Sequence, residues 1–245
     1  MIRMNRLFIL CVTLSLVIVL FAGCKANDAS DSQNTSGGSG NGNTSASETE
    51  QQETEDELIT FEQLRAKDPV PESDIFCAED KNGNGVLEYY GGTETLVVLP
   101  EEYMGDRIVT VSKYTFANDS VAKGIIFPDT MTRIGDMSCG SSQNLQIVVL
   151  GANTKSIGDG AFFSCKKLHT VILNDGLESI GDMAFAFCDD LKSIEIPESV
   201  TNISVAAFFG QPDGFTIIGK EGSYAEQYVT ENLYASEHGF KFVTK

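Results

Sequence analysis

The chain is poor in the residues that most chemistry requires. It has two histidines, His169 and His238, in 245 residues, and 17 Lys and Arg against 35 Asp and Glu. Gly-x-Ser-x-Gly, His-Glu-x-x-His and phosphate-loop sequences are absent, and neither histidine stands in a motif with a nucleophile. A catalytic histidine needs an orienting partner, so nothing here supports an enzyme, and no cofactor is expected. The net charge of -18, with no dense Lys/Arg cluster to offset it, argues against nucleic acid as a partner. No Cys-x-x-Cys occurs, so zinc spacing is missing too.

The apolar run from Leu7 to Phe21 is short for a membrane span, yet it fits an export signal preceded by Arg3 and Arg6. It closes with Phe21-Ala22-Gly23-Cys24. That stretch resembles the bacterial lipobox, which implies cleavage at residue 23 and lipid on Cys24. Two acyl chains there would hold the exported chain to the outer face of a bacterial membrane; an uncleaved signal anchor is the alternative. From Asn27 to about Asp56 the chain is Ser, Gly, Asn, Thr and Glu, too polar to offset ordering entropy by burial. As a coil of about 30 residues it would span roughly 30 Å on average. The expected organisation is 1–23 signal, 24–56 lipidated cysteine and linker, 57–95 N-terminal cap, 96–218 repeats and 219–245 C-terminal cap.

Internal repetition is the strongest signal. Val111, Ile134, Ile157, Ile180 and Ile203 are each 23 residues apart, as are Phe116, Cys139, Phe162, Phe185 and Phe208, and Ile125, Val148, Val171, Ile194 and Ile217. Leu145-Gln-Ile-Val-Val-Leu150 and its counterparts at Leu168 and Leu191 alternate near their ends, so Val148 and Leu150 should point inward and Val149 outward, as in a strand buried on one side. Asp159 and Asp182 are placed to cap short helical turns that carry Phe162 and Phe185 into the core. One unit cannot bury its apolar side alone, whereas stacked units make a continuous core.

Units reading Ile-Gly-Asp-x-Ala-Phe-x-x-Cys-x-x-Leu-x-x-Ile-x-Ile-Pro, matched almost throughout by Ile180 to Pro197, resemble the BspA-type leucine-rich repeats of bacterial surface proteins. Gly85 to Phe116 resembles the family's opening unit, and Gly219 to Tyr228 its closing one. The resemblance implies an α/β repeat solenoid with short parallel strands on one side, short helical turns opposite, and a C-terminal helix-strand cap. Ser223-Tyr-Ala-Glu226 reads as a capping box for a helix from about Tyr224 to Leu233, followed by a strand at Phe240 to Val243. Cys139 in the Phe column, and Phe209 to Gly214 where a Cys and a Leu belong, mark units expected to be irregular.

The candidate functional surface is the exposed sheet face: Lys123 and Ile126; Gln146, Ile147 and Val149; His169, Thr170 and Ile172; Lys192, Ser193 and Glu195. Ile126, Val149 and Ile172 would form an apolar stripe, either for binding, or for strand stability alone, or under cover of the N-terminal segment. Asp80, Asn82 and Asn84 open like a calcium loop, but Gly91 stands where a bidentate Glu is needed, and Asn-Gly between short strands signals a hairpin. Cys165 and Cys188 would lie on neighbouring turns, as buried thiols or as a disulfide. The resemblance implies adhesion to host matrix proteins or other bacteria through a protein or glycan ligand. An envelope scaffold binding peptidoglycan is the alternative; a secreted hydrolase ranks below both.

Overall fold

The computed structural model describes residues 58–245; the export segment, Cys24 and the linker lie outside the described residues. In chain order the elements are α1 (Phe61–Arg65), β1 (Ile75–Glu79), β2 (Gly85–Tyr90), β3 (Leu96–Val98), β4 (Glu102–Tyr103), β5 (Asp106–Val111), β6 (Gly124–Ile126), β7 (Arg133–Ile134), β8 (Ile147–Val149), β9 (Ser156–Ile157), β10 (Thr170–Ile172), β11 (Ser179–Ile180), β12 (Ser193–Glu195), β13 (Asn202–Ile203), β14 (Thr216–Gly219), α2 (Tyr224–Glu231), α3 (Leu233–Glu237) and β15 (Lys241–Thr244). Each coil contributes one strand to each of two parallel edges. The first edge runs β3-β6-β8-β10 and then β12-β14-β15, and the second runs β2-β5-β7-β9-β11-β13, with β1 antiparallel outside β2.

The period of 23 residues sets this register directly. Val148 pairs with Ile125 and Val171, and Ile194 with Ile217, so one apolar column stacks along the first edge. Ile134, Ile157, Ile180 and Ile203 stack along the second. Both columns are buried, and Val148 and Leu150 face inward while Val149 is half-exposed, as the alternation requires. Between them the rings of Phe162, Phe185 and Phe208 stack with centroids 5.3 and 5.6 Å apart. Burying such a ring stabilises by roughly 1.5–3 kcal/mol.

The side opposite the first edge is a run of turns, with no helix between β5 and β14. Its backbone repeatedly enters the left-handed region: Tyr114, Met137, Gly160 and Met183 form one column of positive φ, and Asn118, Ser141, Ser164, Phe187 and Gly210 form another. That conformation costs a non-glycine residue roughly 1–2 kcal/mol. The offset is a bond along the solenoid axis. The N–H groups of Asn118, Ser141, Ser164 and Phe187 each donate to a carbonyl of the next coil, at 2.7–2.9 Å. Asp159 and Asp182 therefore do not cap helical turns. Asp136 Oδ1 accepts from the N–H of Asp159, Asp159 Oδ1 from that of Asp182, and Asp182 Oδ1 from Ser204 Oγ. The approach of coils here explains Gly158 and Gly181, where an added Cβ would lie 2.3 Å from Asp136 Oδ1 and 2.6 Å from Asp159 Oδ1.

The cysteine column has a physical function in the fold. Ser142 Oγ, Cys165 Sγ, Cys188 Sγ and Gln211 Nε2 stand at one position in successive coils, and each donates to the carbonyl of the preceding coil's aromatic column, at Phe116, Cys139, Phe162 and Phe185. The carbonyls of Phe116, Cys139 and Phe162 also accept from the N–H groups of Asp119, Ser142 and Cys165 at 3.1, 3.2 and 3.3 Å, so the small buried donor adds a second bond, one that ties each coil to the next. The expectation of an irregular last unit is corrected on this point, because Gln211 keeps the bond although Cys is gone. The four described cysteines are free thiols. Burial raises the Cys165 thiol to about 12 and pushes Cys139 and Cys188 well above the ordinary range.

Both ends are closed by different means. At the N-terminal end the β1–β2 turn folds onto Asp80, whose carboxylate accepts from the N–H groups of Asn82 and Asn84 and from the Asn84 amide; these bonds, with Asn84 first, hold its pKa below the usual value. At the C-terminal end the expected single helix is two, broken at Asn232. Its side chain caps α3 by accepting from Ala235 N at 3.0 Å while its amide donates to Val205 O. Tyr228 and Tyr234 hydroxyls similarly meet Val205 O and Gly210 N, so side chains supply what a further coil would. The capping box is also corrected: Ser223 Oγ has no partner, and Glu226 accepts from Gly222 N at 2.6 Å.

Candidate functional site

The outer side of the first edge is built from the first and third residues of each strand. Register places Val98, Ile126, Val149 and Ile172 in one row, and Glu195, Ile218 and Val243 in the next stretch of that row. The stripe Ile126, Val149 and Ile172 therefore exists, and each member is half-buried. Sequence reasoning missed Val98, Ile218 and Val243. Ile218 follows Glu195 by the same 23 residues and was legible; Val98 was not, because the β4–β5 hairpin lengthens its unit.

Gln146 and Ile147 are corrected from the exposed set: they are 2% and 1% exposed. The cause is α1. Thr60 and Gln63 form its capping box, and Leu64, itself fully buried, lies over Gly124, where a Cβ would come within 3.2 Å of its methyl groups. Gln146 Oε1 accepts from Ile59 N at 2.9 Å and pins the incoming chain. The chain's own segment thus covers the N-terminal half of the face, over β3, β6 and β8. Burial of one Leu on a five-residue helix contributes roughly 1.5–3 kcal/mol.

From β10 to β15 the face is open. Thr170 and Ile172 are half-buried, and Lys192, Ser193 and Glu195 are exposed. At the C-terminal ends of these strands lies a recess of about 480 Å³ lined by Asp175, Ile196, Pro197, Glu198, Lys220 and Lys245. Lys220 pairs with Glu198 and Lys245 with Glu195. Lys192 and Lys241 stand at the other, N-terminal ends of β12 and β15. His169 sits at the boundary between the two halves, Nδ1 2.8 Å from Thr170 Oγ1 and Nε2 buried without a partner. Burial lowers its pKa, more than nearby Asp190 raises it. His238 lies on the cap, its ring stacked on Tyr234 at 3.9 Å. Among the described residues no group of three or more His, Cys, Asp or Glu could hold a metal ion, and no helix is long and apolar enough to cross a membrane.

A family model described as a BspA type leucine rich repeat region matches residues 104–220 in six copies. The repeat region belongs to the BspA-type leucine-rich repeat family. Among solved structures, a leucine-rich repeat protein of T. pallidum, TpLRR, aligns with a TM-score of 0.62 at 18% identity over 73% of this chain and 84% of that one, a likeness of fold. A leucine-rich repeat protein from Bacteroides ovatus aligns at a TM-score of 0.47 and 26% identity, over 61% of this chain and 39% of its own. A leucine rich cell surface protein from Faecalibacterium prausnitzii aligns at 0.41 and 19%, over 63% and 55%. No curated protein matches the chain. In this BspA-type domain the period that defines the family is also what aligns the two columns, the stacked rings and the outer row.

Proposed function

We propose that the BspA-type domain is a non-catalytic binding module that engages a protein or glycan through the open half of its sheet face, between β10 and β15. The observation that carries this reading is the division of the face: α1 covers one half, while the other leaves Ile172, Ile218 and Val243 beside the 480 Å³ recess and its lysines. Lipid on Cys24 would hold the module to the outer face of a bacterial membrane, with residues 27–56 as its tether. Adhesion to host matrix or other cells is the function this arrangement serves best. Four strands about 4.8 Å apart, each exposing roughly 10 Å, offer about 200 Å², against roughly 800 Å² per partner in a standard interface. Single copies should bind weakly, and many copies on one surface would bind by avidity.

The test is surface binding of the full chain, at physiological salt, to a panel of host matrix proteins, mucins and peptidoglycan. An Ile172→Glu/Ile218→Glu variant, checked for retained folding by circular dichroism, runs beside it. Saturable binding to a host component that the variant loses supports the adhesin. Binding to peptidoglycan alone moves the role to an envelope scaffold, and equal binding by both proteins sinks the sheet face as the site. Metabolic labelling with a fatty-acid analogue, lost on Cys24→Ser, tests the anchor.

A further inference from the structure

The exposed large apolar side chains of the repeats are not on the sheet face. Tyr114 (57% exposed), Met183 (40%), Phe187 (37%), Val205 (76%) and Phe209 (40%) all lie on the turn side, whereas the strands of the first edge carry Val243 alone among the exposed large apolar residues described, and Phe76 and Tyr89 belong to the N-terminal β1–β2 pair. Two columns at the 23-residue period explain the arrangement. Lys113, Asp136, Asp159 and Asp182 form one, and Tyr114, Met137, Gly160 and Met183 form the column beside it. Gly160 interrupts the second. An added Cβ there would lie 2.3 Å from Met137 Sδ and 3.6 Å from Phe163 Cβ. Met137 thus occupies the space a side chain at Gly160 would need, and beside it lies a recess of about 320 Å³ with Met137, Phe163 and Met183 as walls and Lys113, Asp136, Asp159 and Asp182 as rim.

With three aspartates against Lys113, that rim opposes an anion, and a neutral apolar group would leave the carboxylates unused. A side chain with an aliphatic stem and a cationic head matches both: the stem lies against polarizable thioether and ring surface, and the head reaches Asp159 and Asp182. The molecule already contains one such contact in the same columns, since Lys113 Nζ sits 4.9 Å from the centre of the Tyr114 ring. Arg133 neutralises Asp136 at 2.6 Å, so Asp159 and Asp182 are the carboxylates left to meet an incoming cation. We propose that this notch is a second interaction surface, independent of the sheet face, that takes a Lys or Arg side chain of a partner polypeptide with apolar residues flanking it.

The experiment uses the full chain and two labelled pentapeptides, one with arginine at its centre between leucines and one with glutamine there. Fluorescence polarisation reads affinity, and methyl signals of ¹³C-methionine read location. The arginine peptide should bind, shifting Met137 and Met183 but not Met131, and binding should weaken by about tenfold in Asp159→Asn/Asp182→Asn, the scale of losing two exposed charge contacts. Asn keeps the Oδ1 acceptor that the inter-coil bonds need; should this variant still misfold, Met183→Gln removes one wall without touching those bonds and should also weaken binding. Ile172→Glu should leave binding unchanged. Equal affinity for the glutamine peptide, undiminished binding by the folded variants, shifts confined to other methionines, or no saturable binding at millimolar peptide would each overturn the proposal.

Discussion

Along the first edge, neighbouring coils are joined by strand ladders between β-branched residues in ordinary extended conformations, and the outer row is half-buried from Val98 to Ile172 and exposed at Glu195 and Val243. Along the turn side the same coils are joined by N–H groups of left-handed residues, by carboxylates and by buried side-chain donors. The strand side would tolerate many β-branched sequences, since its bonds are backbone to backbone. The turn side depends on particular residues, because each bond there needs a positive φ, a missing Cβ or a small donor. The repeat signature is therefore concentrated in Ile-Gly-Asp-x-Ala-Phe-x-x-Cys, which is the turn.

The largest effect should come from the core both sides share. Phe185→Ala removes the middle ring of the stack and should cost roughly 3–5 kcal/mol, read by urea unfolding. Ile172→Ala on the outer row of the strand side should cost much less; equal losses would mean that the ring stack is not the main interior contact. Next comes Gly158→Ala. Its Cβ would meet Asp136 Oδ1 at 2.3 Å and Asp136 N at 2.7 Å, and overpacking of this kind costs roughly 1–3 kcal/mol. A neutral outcome in thermal melts would show that the coils can part there and that the turn side is looser than its bonds suggest.

The cysteine column allows a finer comparison, donor against bulk. Cys188→Ala leaves the buried Phe162 carbonyl with only the Cys165 N–H, at 3.3 Å, and removes a bond between coils worth roughly 0.5–1.5 kcal/mol, whereas Cys188→Ser keeps a donor, as Ser142 does naturally at the same position. Serine should therefore be the less damaging replacement, measured as the difference in unfolding midpoint. If alanine were the better tolerated, packing and not hydrogen bonding would account for the column. The same burial predicts that Cys139, Cys165 and Cys188 resist alkylation at pH 8 in the folded protein, since their thiolates are disfavoured.

Legibility in the sequence follows the same division. The apolar columns, the strand positions and the inward placement of Val148 were readable because periods of 2 and 23 residues are properties of side-chain order. The bonds of the turn side were not, since Asp159 before a Gly reads equally as a helix cap and as a rung to the next coil; only the stacking of coils decides. Gln146 and Ile147 failed for a related reason. Their strand faces outward as expected, but Leu64 reaches Gly124 from a segment whose own periodicity is weak, and the Gly124 position that admits it stands out only once the two are in contact. Asn232 and Gln211 were missed because each replaces a backbone group or a cysteine by an unrelated side chain that makes the same bond.

The smallest expected effect tests where the covered half of the sheet face ends. His169 lies in the column Lys123, Gln146, His169, Lys192, between a position buried by the incoming chain and an exposed one. Its folded pKa is lowered from 6.5, chiefly by burial. The unfolded chain then binds the proton more readily than the folded one, so stability is fully present above about pH 6.5 and declines as pH falls from there toward the lower folded value. Carboxylates titrate at the acid end of that window, so the measurement is a difference: unfolding free energy of the native chain minus that of His169→Gln, followed from pH 7.5 to 5. A positive difference that shrinks with acid would place His169 on the covered side of the boundary. Adding Leu64→Ala should flatten that slope, since loosening α1 admits water to the imidazole; an unchanged slope would mean that the strands alone bury it and that the cover ends at Gln146.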